Sequence, residues 1–254
     1  MEPDILFVLL LGFFAGFVDS IAGGGGLIAL PGLLGLGLPP HIALGTNKLQ
    51  SIFGTITASI NYFTRKEVKL SSLYFGIVFT FIGAVAGTVC ILFVHPGMLR
   101  WIIPIALSFV FFYLLFRGKI FDLNRPAKMK RGLFFVFFGL GLGFYDGFFG
   151  PGVGSFWMFS LLFFLGLKMI PALTCTKVFN VTSNFASILI FAHSGSIHYQ
   201  YAFLMGATQI LCSNLGARLA LKKGTKLIRP FLMVLVFFTL FKTILDLVGV
   251  KIFP

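Results

Sequence analysis

Charge is what this chain has least of. Its 254 residues include only 7 acidic and 20 basic side chains, so 11% of positions are charged while 58% are hydrophobic. Soluble domains carry about 25% charged residues, and the deficit excludes a water-facing globular protein. Cysteine is also scarce: Cys90, Cys175 and Cys212 lie in apolar stretches without a paired ligand spacing. That excludes a disulfide framework or a cysteine metal site and leaves three small hydrophobes. The basic start and small-residue cleavage site of a signal peptide are missing as well, since Met1-Glu2-Pro3-Asp4 is acidic, so the N-terminus is expected to be retained. Neither a cofactor nor a metal is implied.

What is present is apolar length. A transmembrane helix needs roughly 20 apolar residues to cross the ~30 Å hydrocarbon layer. Six segments meet this, at 43–64, 71–94, 98–116, 171–192, 199–221 and 229–249, and four shorter ones occur at 5–20, 26–38, 132–148 and 154–167. The expected fold is therefore all-α, a polytopic helical bundle in a lipid bilayer. The net charge of +13 does not point to nucleic acid, because the basic residues are spread over short separate loops with no interleaved stacking groups.

Those loops set the orientation, since cytoplasmic loops retain Lys and Arg. With the linker 117–131 placed inside (Arg117, Lys119, Arg125, Lys128, Lys130, Arg131), threading puts Arg65, Lys66, Lys69, Lys168, Arg218, Lys222, Lys223, Lys226 and Arg229 inside too. Only Arg100 and Lys251 fall outside, and so do both termini. The chain also repeats itself: Gly16-Phe17-x-Asp19 recurs 127 positions later as Gly143-Phe144-x-Asp146. The hairpin 5–38 opens to the outside and 132–167 to the cytoplasm, so repeats 1–116 and 132–254 are expected to be inverted. Inverted repeats are a ground plan of secondary transporters, with the substrate near the midplane.

Each short pair meets at a glycine run, Gly23, Gly24, Gly25 and Gly26 in the first repeat and Gly150 and Gly152 in the second. Segments of about 13 to 17 residues reach about 20 to 25 Å, which favours broken, partly re-entrant helices; surface-looped full hairpins have the same topology and stay open. Glycine lets backbone N–H groups approach a ligand, and helix N-termini favour anions. A Walker loop is excluded because Leu27-Ile28-Ala29 follows Gly26.

Three lysines remain inside spans. Lys48 follows Asp19 by 29 residues and Lys177 follows Asp146 by 31, which makes them counterparts. Burying an ionised residue costs about 3 kcal/mol even by insertion scales. Their neighbours are polar: Thr46, Asn47, Gln50 and Ser51 around Lys48, and Thr176, Asn180, Thr182, Ser183 and Asn184 around Lys177. Lys177, Asn180, Asn184 and Ser187 share one helix face. Snorkelling to the headgroups would account for the amines but not for these amides and hydroxyls. Two lysines and two glycine breaks are thus expected to form an electropositive cradle for an anion. Asp19 and Asp146 either cap half-helix N-termini or carry a coupled proton. Lys242 and Asp246, four apart, read as a structural pair, and His41, His95, His193 and His198 as interfacial polar tips.

The stretches "GFFAGFVDSIAGGGGLIALPGLL" and "ALGTNKLQS", with "GLGLGFYDGFFGPGVGSFWMFSLLFFLG", "ALTCTKVFNVTSNFAS" and "GARLALKKGTKLIRP", resemble the TauE/SafE sulfite exporter family across nearly the whole chain. The resemblance implies a bacterial inner-membrane permease for sulfite, organosulfonates or other small organic anions. Its motif maps onto Asp19 with Gly23 to Gly26, Asn47-Lys48, Asp146 with Gly150 and Gly152, and Lys177 with Asn180. Pro151 and Val153 interrupt the second glycine run, which sets the two hairpins apart. The expected function is alternating-access export of a small anion, with protons and the lipid bilayer as further partners and an oligomer open. Gly83 and Gly87 could pack helices within a chain or between chains. An anion channel would share the same lining, whereas an intramembrane enzyme lacks a reactive constellation.

Overall fold

The computed structural model describes residues 5–116 and 126–223, and all regular structure among them is helical. The helices are α1 (Ile5–Ala22), α2 (Gly26–Gly35), α3 (Pro40–Phe63), α4 (Tyr74–Leu92), α5 (Pro96–Phe116), α6 (Arg131–Phe148), α7 (Val153–Phe164), α8 (Met169–His193) and α9 (Tyr199–Lys223), with a 3-10 turn at Leu70–Leu73 before α4. The span expected at 229–249 and the Lys242–Asp246 pair lie outside the described residues.

Only the second member of each hairpin is short. α2 has 10 residues and α7 has 12, whereas α1 and α6 have 18 each. At 1.5 Å per residue the short helices reach about 15 to 18 Å and the long ones about 27 Å. The expectation of uniformly short segments is corrected accordingly. The reason lies in backbone chemistry: the breaks sit at Gly23, Gly150 and Gly152, whose φ values of 72°, 95° and 81° stop a helix where a residue with a Cβ would be strained.

By length and composition alone, Leu70–Leu92 and Met169–His193 are apolar enough to cross a membrane. α3 and α9 are as long, with 24 and 25 residues, but they carry inward-facing polar groups that lower their hydropathy: Asn47, Lys48 and Gln50 on α3, Gln209 and Ser213 on α9, all buried. The outside is apolar instead, with Phe93, Ile105, Phe109, Phe203 and Leu211 among the exposed side chains. A bundle with apolar exterior and polar interior suits lipid as its solvent.

The two halves pack by exchange. α4 packs on α6, and α1 on α9, in the most extensive contacts of the bundle; α3 packs on both α8 and α9, and α8 on α4. These seams close because glycines let backbones touch. A Cβ on Gly143 would stand 2.5 Å from the Thr80 carbonyl oxygen, and one on Gly87 only 2.7 Å from the Phe148 amide nitrogen. On the other seam, a Cβ on Gly12 would meet Met205 Cα at 2.6 Å. Gly83 and Gly87 therefore serve a contact inside one chain, against α6. Two apolar clusters fill the bundle, one around Leu30, Leu44, Leu99, Ile103, Leu107 and Phe191, the other around Tyr62, Phe134, Trp157 and Phe179.

Candidate functional site

The breaks of the two hairpins meet in the interior. Gly23 and Gly154 stand Cα against Cα, so that a Cβ on Gly154 would fall 2.5 Å from Gly23 Cα and 3.2 Å from Asn180 Nδ2. Each break is braced by a tyrosine or a carboxylate from its own hairpin. Asp19 Oδ1 accepts from the Gly25 amide at 3.3 Å, and Tyr145 donates its hydroxyl to the Pro151 carbonyl at 2.8 Å. Tyr62 of α3 adds a 2.7 Å bond to the Ser20 carbonyl.

Around this junction the ionisable residues are joined crosswise. Lys48 Nζ of the first half contacts Asp146 Oδ1 of the second at 2.5 Å. Lys177 Nζ of the second half contacts Asp19 Oδ2 of the first at 2.9 Å. Lys177 also donates to the Asp19 main-chain carbonyl, and Ser183 Oγ donates to Asp146 Oδ2. Both lysines are buried, at 2% and 0% exposure, so neither reaches the headgroups. Removing two such charges from water is tolerable only with partners of this quality.

The expectation of an electropositive cradle is corrected by these pairs. Two ammonium and two carboxylate groups share the interior, and each positive charge is matched at contact distance. The physical reason is desolvation: an unpaired lysine in this low-dielectric space would cost far more than its pairing does. Asp19 does touch the amide before α2, whereas the oxygens of Asp146 are taken up by Lys48 and Ser183.

The pairs border a cavity of about 20 Å3, lined by Asp19, Gly23, Gly26, Asn47, Lys48, Ser51, Asp146, Gly150, Gly152, Val153, Asn180 and Asn184. One water needs roughly 10 to 15 Å3 by this measure, so the site has room for about one. Of the residues singled out in the sequence, Gly24, Gly25, Gln50, Thr176 and Lys177 do not line it. Gln50 instead donates to Asn47 Oδ1 at 2.9 Å and accepts from Gln209 Nε2. Gln209, which no sequence pattern marks, thus enters the polar interior, and Ser183, expected only as a polar neighbour of Lys177, holds a carboxylate there. Asn180 Oδ1 is buried on the cavity wall without a partner among the described residues. Ser187 accepts from Thr88 at 2.8 Å, beyond the cavity.

Paired charges and unpartnered amides inside an apolar-surfaced helical bundle suit the interior of a membrane permease. The chain matches the sulfite exporter TauE/SafE family model over residues 8–243, and it belongs to that family of membrane transporters rather than to an enzyme class. It is similar to "Probable membrane transporter protein" of Haemophilus influenzae, with 39% identity covering 96% of each chain. Similarity to "Probable membrane transporter protein YfcA" of Escherichia coli K12 is also 39%, covering 92% of this chain and 87% of the relative. "Probable membrane transporter protein YunE" of Bacillus subtilis is 26% identical over 89% of this chain and 92% of its own length. No solved structure gives a significant match.

Proposed function

We propose that this protein is a secondary transporter of a small anion, such as sulfite or an organosulfonate, that works by alternating access around the Asp19–Lys177 and Lys48–Asp146 pairs. The observation that carries this reading is the crossed pairing at a small polar cavity between two broken hairpins. An anion gains a lysine only by displacing its aspartate, and a displaced carboxylate left buried without a partner is costly. Uptake of a proton by that carboxylate removes the penalty, which couples anion and proton movement. Export through the bacterial inner membrane, with the 117–131 linker in the cytoplasm and both termini outside, is the direction and placement we infer. Support for an inverted repeat, 1–116 against 132–254, comes from the exchanged packing of α4 on α6 and α1 on α9.

The test is flux in proteoliposomes across a panel that includes sulfite, sulfoacetate and small carboxylates. Wild-type protein is expected to carry at least one saturably and with counterflow, and Lys48→Ala and Lys177→Ala to lose that flux. Unchanged flux in both variants would overturn the site assignment, and ohmic single-channel currents would replace the carrier by a channel.

A further inference from the structure

A second cavity, of about 330 Å3, opens where α3 leads into α4 and α7 into α8. Exposed Glu67, Lys69 and Arg131 stand at its rim, while Leu73, Phe135 and Cys175 are buried at its floor. It lies at the end of the molecule that carries the basic loops. The crossed charge pairs do not reach it.

An aromatic partition runs from its floor towards the central cavity. The Phe135 ring on the floor lies 5.7 Å from Phe179, and Phe179 lies 4.5 Å from Trp157. The far side of the same partition is the wall of the central cavity: Val153, one turn before Trp157 on α7, and Asn180, next to Phe179 on α8, both line it.

Two polar atoms are stranded on the helices that form this partition, one in the partition itself and one on α8 a turn before Phe179. Trp157 Nε1 and Thr176 Oγ1 are buried with no hydrogen-bond partner among the described residues. A buried indole N–H ordinarily has an acceptor, because leaving it without one forfeits its hydration for nothing. Both groups can donate, and an acceptor that passes between the cavities would satisfy each in turn. A permanently sealed apolar plug would have no use for either.

We propose that the second cavity is the vestibule through which the anion exchanges with the central site from the side of the basic loops. Trp157 and Phe179 form the gate, and Trp157 Nε1 and Thr176 Oγ1 donate to the anion or its water as it passes. Lys69 and Arg131 outnumber Glu67 at the rim and favour an anionic guest over a cationic one. This inference rests on the transport reading above and gives it a path.

The chain's own thiols supply the test. In a Cys90→Ala, Cys212→Ala background, a charged membrane-impermeant methanethiosulfonate is expected to modify Cys175 from the same membrane face that labels Lys69→Cys. In a cysteine-free background, Val153→Cys lies behind the gate and is expected to react slowly. Trp157→Ala or, as a milder change with less risk to folding, Phe179→Leu should raise its modification rate by about tenfold or more from that face, because large-to-small core changes weigh on the closed state. Labelling of Val153→Cys that stays unchanged in both gate variants, or that quickens only from the opposite face, overturns the vestibule. The readout needs no flux: gated labelling in a protein that carries none of the anions would uphold the path and sink the substrate reading, and flux without gated labelling would do the reverse.

Discussion

Lys48 and Asp146, 98 positions apart, meet at 2.5 Å and bind the third helix of one half to the hairpin break of the other. Lys177 and Asp19 do the same in the opposite sense. Among the described residues the buried charges thereby cancel, and on the transport reading the lysines are available to a guest only when their carboxylates let go.

The first prediction separates stability from transport. Lys48→Met leaves Asp146 buried and unmatched and is expected to cost about 3 to 5 kcal/mol, while the double variant Lys48→Met/Asp146→Leu recovers most of that. Thermal unfolding in detergent measures the cycle. Anion flux should stay absent in the double variant, since the recovered packing has lost one of the two amines, the one at position 48, that the transport reading requires.

Coupling is the second. Asp146→Asn keeps the shape and the Ser183 contact while removing the titrating group from beside Lys48. Flux driven by an imposed pH gradient is expected to fall to background, while exchange of anion for anion at equal pH persists. Retained gradient-driven flux in both Asp146→Asn and Asp19→Asn would rule out these carboxylates as the proton carriers.

A third prediction contrasts glycines. Gly154→Ala is expected to lower the melting temperature sharply, because its Cβ would lie 2.5 Å from Gly23 Cα, inside any tolerable contact. Gly141→Ala meets nothing within 4 Å and sits within α6, so it should be neutral or stabilise by up to about 1 kcal/mol through helix propensity.

The fourth concerns the amide chain that ends at the cavity. Gln209→Leu removes the donor to Gln50, which in turn holds Asn47 at 2.9 Å. An unsatisfied buried amide costs about 1 to 3 kcal/mol, so stability should drop by that order, and the ranking of anions in competition assays should change because Asn47 is no longer fixed.

Much of the interior is legible in the sequence, for a simple reason. In a chain this apolar, Asp19, Lys48, Asp146 and Lys177 stand out, and their recurrence at nearly the same spacing marks them as counterparts. Their crossed pairing is not legible, because no local pattern says which half each lysine will face. For the same reason Asp19 and Asp146 read as helix caps or proton carriers, with no sign that they are the partners that make buried amines tolerable. Gln209 escapes notice since it is one of three amides in a long helix, beside Gln200 and Asn214, with only its burial to distinguish it. The unequal hairpins are hidden as well: hydropathy runs smoothly into the break, and only backbone conformation at Gly23 and Gly150 ends α1 and α6 where they end.

The glycine seams have a mechanical consequence. Where Gly83 and Gly87 press into α6, backbone meets backbone, and Gly12 presses against the Met205 backbone and the Thr208 side chain of α9, so each pair of helices interlocks closely. Such paired rods travel as one piece. On the alternating-access reading, any rocking that uncovers the lysines must therefore use moving parts assembled from both halves of the chain, α4 with α6 and α1 with α9, and a hinge cut along the linker would split both pairs.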